Sequence, residues 1–169
     1  MGVFLHDLHQ QLKELHQRQA RQPLTLYRGQ GLSKTDFEKL NKSRLISFNN
    51  FLSTSEYSLT ALGYGERASE LPDMVGIFFE MTIPLSVQSV PFADIQEHST
   101  IKDEKEILFS MHAVFRIDDI NEIRENLYEV NLTLTADDDP ELRNLTEYIR
   151  EEVADETGWK RLCLLLVKI

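Results

Sequence analysis

Glu104, Lys105 and Glu106 put two carboxylates two residues apart at the head of EKEILFSM, a stretch that reads as a strand. Strand residues i and i+2 share a face about 6.6 Å apart, so both acids address the same space. Like charges so placed raise at least one pKa unless a cation or ligand intervenes. The pair therefore invites a cation or a ligand, and a solvated strand edge would look the same. Arg28 stands between Tyr27 and Gly29 at the end of LTLYRG, another strand pattern. An arginine in an apolar strand needs an anion, either a structural carboxylate or a bound one. Ser53, Thr54 and Ser55 end the strand FLSTS, and alternation sends Ser53 and Ser55 to one face and Thr54 to the other. Hydroxyls at a strand end suit a plain cap on the next helix as well as a site.

The elements that must position these groups follow from periodicity. Leu5, Leu8, Leu12 and Leu15 predict an amphipathic helix over Phe4–Ala20. Its histidines His6, His9 and His16 lack the i,i+4 spacing of a metal pair, and read as solvated or half-packed. Pro23 ends this helix, and Leu24–Gly29 alternates as a strand. Ser33 and Asp36 resemble a capping box opening a helix through Phe37 and Leu40. LISFNNFLSTS reads as two extended pieces around Asn49-Asn50. Ser58 is the expected N-cap of a helix from Leu59 to about Leu71, weakened by Gly63 and Gly65, which could also let a ligand near the backbone.

VGIFFEMTI, EKEILFSM, HAVFRIDDI and ENLYEVNLTLT read as strands, with a loop from Pro91 to Lys102. Asp139 and Pro140 open a helix running to about Glu156, and Gly158 interrupts it before WKRLCLLLVKI. Strands run together rather than alternating with helices, so the expected class is α+β with mostly antiparallel strands.

Composition narrows the functions. The chain has 169 residues, with 18 Lys and Arg against 28 Asp and Glu, a formal net charge of −10. That balance argues against a nucleic-acid surface and permits a basic protein or an arginine side chain as partner. Hydrophobic residues at 41% and charged residues at 27% rule out wholesale disorder. No 18-residue apolar run exists, so no transmembrane helix or membrane partner is expected. The lone Cys163 excludes an intramolecular disulfide and a Cys-rich zinc site. With no secretory pattern at the N-terminus, the expected setting is reducing and cytoplasmic.

Tyr27-Arg28-Gly29, then Phe51-x-Ser53-Thr54-Ser55, then Glu104-x-Glu106, in this order, resemble the mono-ADP-ribosyltransferases of the Arg–Ser–Glu type. These include the binary actin-modifying bacterial toxins and the vertebrate arginine-specific enzymes. The resemblance spans about Leu24 to Ile120 and implies a two-sheet core with flanking helices. It implies a catalytic domain over 4–135, with a helical extension over 140–169. NAD would be the co-substrate, without a metal, and a protein presenting arginine the acceptor. By resemblance, Glu106 holds a ribose hydroxyl and faces the developing oxocarbenium ion, while Glu104 engages the target guanidinium. Ser53 orients Glu106, Arg28 binds the phosphates, and Gly29 offers its backbone to the nicotinamide amide.

Further NAD contacts are implied at Asn50, Thr54, Tyr64 and Arg67. A Glu at position 104 resembles the arginine-modifying branch, where Gln would resemble the amide-modifying one. Ile101 and Lys102 stand where the toxins carry an aromatic residue, so actin is not carried over as target. The vertebrate disulfides have no counterpart here. An NAD glycohydrolase would use the same Arg28, Ser53 and Glu106, and an inactive NAD-binding or interaction module is the reading outside enzymes. Trp159-x-x-Leu162 with Leu165 is similar to the opening helix of a tetratricopeptide-type repeat, or else a packing helix. The repeat reading implies a catalytic module of a longer protein.

Overall fold

The computed structural model describes residues 2–18, 22–42, 44–87, 89–95, 105–136 and 139–144. Helix α1 (Gly2–Arg18) precedes β1 (Leu24–Ser33), the single turn α2 (Lys34–Phe37), β2 (Leu45–Phe48) and β3 (Leu52–Ser55). Helix α3 (Ser58–Ser69), β4 (Met74–Ile83), β5 (Phe92–Asp94), β6 (Glu106–Phe109), β7 (Ala113–Arg124) and β8 (Leu127–Leu134) follow. A helix begins at Pro140. The strands form one eight-stranded sheet in the order β2-β7-β8-β4-β1-β3-β6-β5. Among the described strands only β4 and β8 pair in parallel, so the expected α+β class and mostly antiparallel strand sense hold.

The two expected sheets are instead one hydrogen-bonded sheet, and its weak point explains the difference. β1 and β4 pair along ten residues, from Leu24–Ile83 to Ser33–Met74. β1 and β3 pair only at Tyr27–Ser55. Five strands on one side and three on the other are thus joined through a single residue pair. Alternation fills the core: Val75, Ile77, Phe79, Met81 and Ile83 of β4 meet Leu26, Phe109, Phe115 and Leu132, all buried. Burial on that scale, at roughly 25 cal/mol per Å² of apolar surface, is what holds the two halves together beyond the one pair.

Several local expectations change. Phe92–Asp94 pairs with β6 as an edge strand inside the expected loop. Helix α3 starts at Ser58, its capping position is Tyr57, and no side chain caps it; instead Ser55 Oγ accepts from the Tyr57 N–H at 3.0 Å. Ser33 does cap α2, accepting from Asp36 N–H at 3.1 Å, but the helix stops at Phe37. His9 is half-buried, as expected, its Nδ1 bonding Ser110 Oγ at 2.6 Å, whereas His16 is buried and bonds the Phe92 carbonyl at 3.0 Å. They pin α1 to the strands of the β5 edge. Asp139 opens its helix as expected, its Oδ1 accepting from Glu141 and Leu142 N–H at 2.9 and 3.1 Å. The helix to Glu156 and the repeat-like segment around Trp159 lie beyond residue 144, outside the described residues.

Candidate active site

Antiparallel register would place Gly29 opposite Ser53 if β1 and β3 continued past Tyr27–Ser55. They part there, and the parting creates a cleft. The Ser53 carbonyl, which a continuing ladder would use, accepts from Arg28 Nη1 at 2.7 Å. Arg28 Nε donates to Gln30 Oε1 at 2.9 Å. Among the described residues no carboxylate pairs with Arg28, so the structural Arg–Glu pair that the sequence left open is absent there. Burial pushes its guanidinium pKa down, yet an arginine stays charged at neutral pH. A half-buried cation held by two neutral acceptors keeps donors for an anion.

Ser53, Ser55 and Glu106 share a face, because β3 pairs β6 with Ser55 opposite Glu106. Ser53 Oγ donates to Glu106 Oε1 at 2.5 Å, a short charge-assisted bond that fixes the carboxylate. Lys105, between the two acids, leaves on the opposite face and pairs with Glu56 at 3.0 Å. Glu104, Ile101 and Lys102 lie outside the described residues.

Helix α3 roofs the cleft by backbone contact. A Cβ added at Gly29 would lie 1.7 Å from the Ala61 carbonyl oxygen, and one at Gly76 would lie 2.1 Å from that of Gly65. Gly65 thus faces β4 rather than a ligand, whereas nothing lies within 4 Å of a Cβ at Gly63. The resulting cleft, of ≈310 Å³, is walled by Arg28, Gly29, Ser53, Thr54, Tyr64 and Glu106 together with Tyr27, Ser55, Thr60 and Ala61. A hollow of ≈230 Å³ adjoins it through Thr60 and Tyr64 and reaches Arg67.

Six of the sequence-named residues therefore meet in one place. The Thr54 hydroxyl is turned away, donating to the Ile107 carbonyl at 2.8 Å. Asn50 is exposed in the turn between β2 and β3 and is not on the cleft wall. Tyr27, Ser55 and Thr60 were not singled out as cleft residues; pairing of β1 with β3 at Tyr27–Ser55 brings in the first two, and the helix roof the third.

A family model described as ADP-ribosyltransferase exoenzyme matches residues 7–139. Vis, an ADP-ribosyltransferase toxin from Vibrio splendidus solved in complex with agmatine, superposes with a TM-score of 0.60 at 23% identity, over 82% of this chain and 61% of that one. The C3 exoenzyme of Clostridium limosum gives 0.56 at 14% identity, over 78% and 67%. Exoenzyme S of Pseudomonas aeruginosa, solved with human 14-3-3 protein beta and carba-NAD, gives 0.58 at 15%, over 79% and 58%. These likenesses are of fold. The chain spans about three fifths of the length of the Vis structure. A comparison with curated proteins finds no match.

Proposed function

The chain belongs to the ADP-ribosyltransferase exoenzyme family, and on that premise we propose that it moves ADP-ribose from NAD to an arginine side chain of a protein, releasing nicotinamide. One observation carries the reading: the Ser53–Glu106 hydrogen bond at 2.5 Å shares a cleft with an arginine that no described carboxylate neutralises. The cleft accordingly suits a molecule that is anionic at one point and becomes cationic at another. NAD is such a molecule. Its pyrophosphate matches the Arg28 fork, and its ribose becomes oxocarbenium-like as the glycosidic bond breaks.

In the reaction, the bond from the ribose C1′ to the nicotinamide nitrogen breaks, and nicotinamide leaves with the electron pair. Glu106, oriented by Ser53, stabilises the cationic ribose. A guanidinium nitrogen of the acceptor then bonds C1′ and loses a proton. Glu104 is assigned to orient that nitrogen and take the proton. Agmatine, the compound bound in the Vis structure, is itself a guanidinium, which supports arginine as the acceptor class. Tyr64 and Arg67 are assigned to NAD contacts on the strength of the adjoining hollow.

The test is a paired assay with labelled NAD. ADP-ribose appearing on agmatine or polyarginine supports the proposal. Nicotinamide release without transfer makes the protein an NAD glycohydrolase. Absence of both activities from folded protein makes it a binding module.

A further inference from the structure

The inner face of β1 reads Leu24, Leu26, Arg28, Gln30, Leu32. The three leucines belong to the core or pack on it. Arg28 and Gln30 stand across from Phe79 and Ile77 of β4, both fully buried. A leucine at position 30 would continue this apolar face. The glutamine there is half-buried, and it gives Oε1 to Arg28 Nε at 2.9 Å. Gln30 is not on the cleft wall; its link to the cleft is the bond to Arg28.

An arginine side chain gives up rotamer entropy when it is fixed. Here two acceptors hold it, Gln30 from the flank and the Ser53 carbonyl from across the parting. Each alone leaves the guanidinium plane free to turn about the remaining bond. Together they fix it, and the loss is taken before any ligand arrives. Ser53 then links the arginine to Glu106 through its own hydroxyl. Gln30, Arg28, Ser53 and Glu106 form one hydrogen-bonded run from the core to the carboxylate.

We propose that Gln30 is a positioning residue: it holds the Arg28 guanidinium in the orientation that receives the anionic part of the substrate, without touching the substrate itself. This inference rests on the proposed use of NAD, and its test separates the two. The first measurement needs no NAD. In a nitrogen-15 NMR spectrum, the Arg28 Nε–H exchanges slowly with solvent because Gln30 accepts it. Gln30→Met removes the acceptor at similar length and speeds that exchange at least about tenfold. Gln30→Glu keeps an acceptor and keeps exchange slow, which also shows that position 30 tolerates substitution. Equal exchange in the wild type and Gln30→Met overturns the proposal.

The second measurement is kinetic. Gln30→Met raises KM for NAD about tenfold, the scale of one hydrogen bond to a charged group, and spares kcat. In an Arg28→Lys background, which has no Nε–H to hold, the same change at Gln30 has no further effect. A loss confined to kcat, or an equal tenfold effect in the Arg28→Lys background and in the wild type, overturns the positioning role. A wild-type protein that turns over no NAD removes the proposed activity, and the exchange comparison then decides the Gln30–Arg28 link by itself.

Discussion

At the scale of the residue, the proposed reaction gives the two acids of the Glu-x-Glu pair separate tasks. Glu106→Gln keeps the shape of the site and a hydrogen bond to Ser53, but removes the charge that the proposed mechanism sets against the cationic ribose. The expected loss in kcat is about 10²-fold or more for transfer and for NAD hydrolysis alike, with NAD affinity largely kept. Near-parental turnover by folded Glu106→Gln would remove the centre of the mechanism. Glu104→Gln should instead abolish transfer to agmatine and leave nicotinamide release measurable, because water needs no carboxylate to orient it. Equal loss of both activities would mean that the acids act as a unit. Ser53 and Glu106 stood out in the sequence as polar residues at the ends of apolar strands, and Arg28 as a charge within one, although β1 runs on to Ser33, past the expected end at Gly29. Gln30 was not legible: nothing in LTLYRGQGLS says that its amide turns inward onto an arginine two residues back.

At the scale of the element, glycine positions decide where α3 can lie. Gly29→Ala drives a methyl into the Ala61 carbonyl, which is backbone and cannot swing aside. The helix must shift, taking Thr60 and Tyr64 from the cleft wall. The expected cost is about 1–3 kcal/mol or more in urea unfolding, with NAD turnover reduced as well. Gly63→Ala meets open space inside the helix and should stabilise by about 0.5–1 kcal/mol. Unfolding midpoints that move in the same direction for the two variants would show that α3 is not seated as described. β4 was readable as a continuous run of apolar, β-branched and aromatic residues, and β7 and β8 were long enough to show strand patterns of their own. Strand patterning missed β5, three residues long after a proline, which is too short to show a period. It also could not show one sheet rather than two, because that depends on Tyr27 meeting Ser55, a pairing between distant segments with no local signature.

At the scale of the whole molecule, Arg116 of β7 ties the chain after β8 back to the sheet. Its Nη2 meets Asp139 Oδ2 at 2.7 Å and its Nη1 meets Glu141 Oε2 at 2.8 Å. The hydrogen bond from Arg116 is the main cause that lowers the Asp139 pKa. A carboxylate with a depressed folded pKa stabilises fully above its unfolded value of about 3.9, and that contribution is lost as pH falls through the folded value. The difference in urea midpoint between wild type and Asp139→Asn should therefore narrow between about pH 6 and about pH 3. A difference that stays constant over that range would mean that the tie does not carry charge. The single Tyr27–Ser55 pair has a mechanical consequence of another kind. It acts as the spine of a half-open book, with Arg28 on one leaf and Glu106 on the other. Arg28 is itself a clasp, gripping the opposite page at the Ser53 carbonyl. A dinucleotide lying between the leaves would add a second clasp, so that filling the cleft and stiffening the whole sheet become the same event.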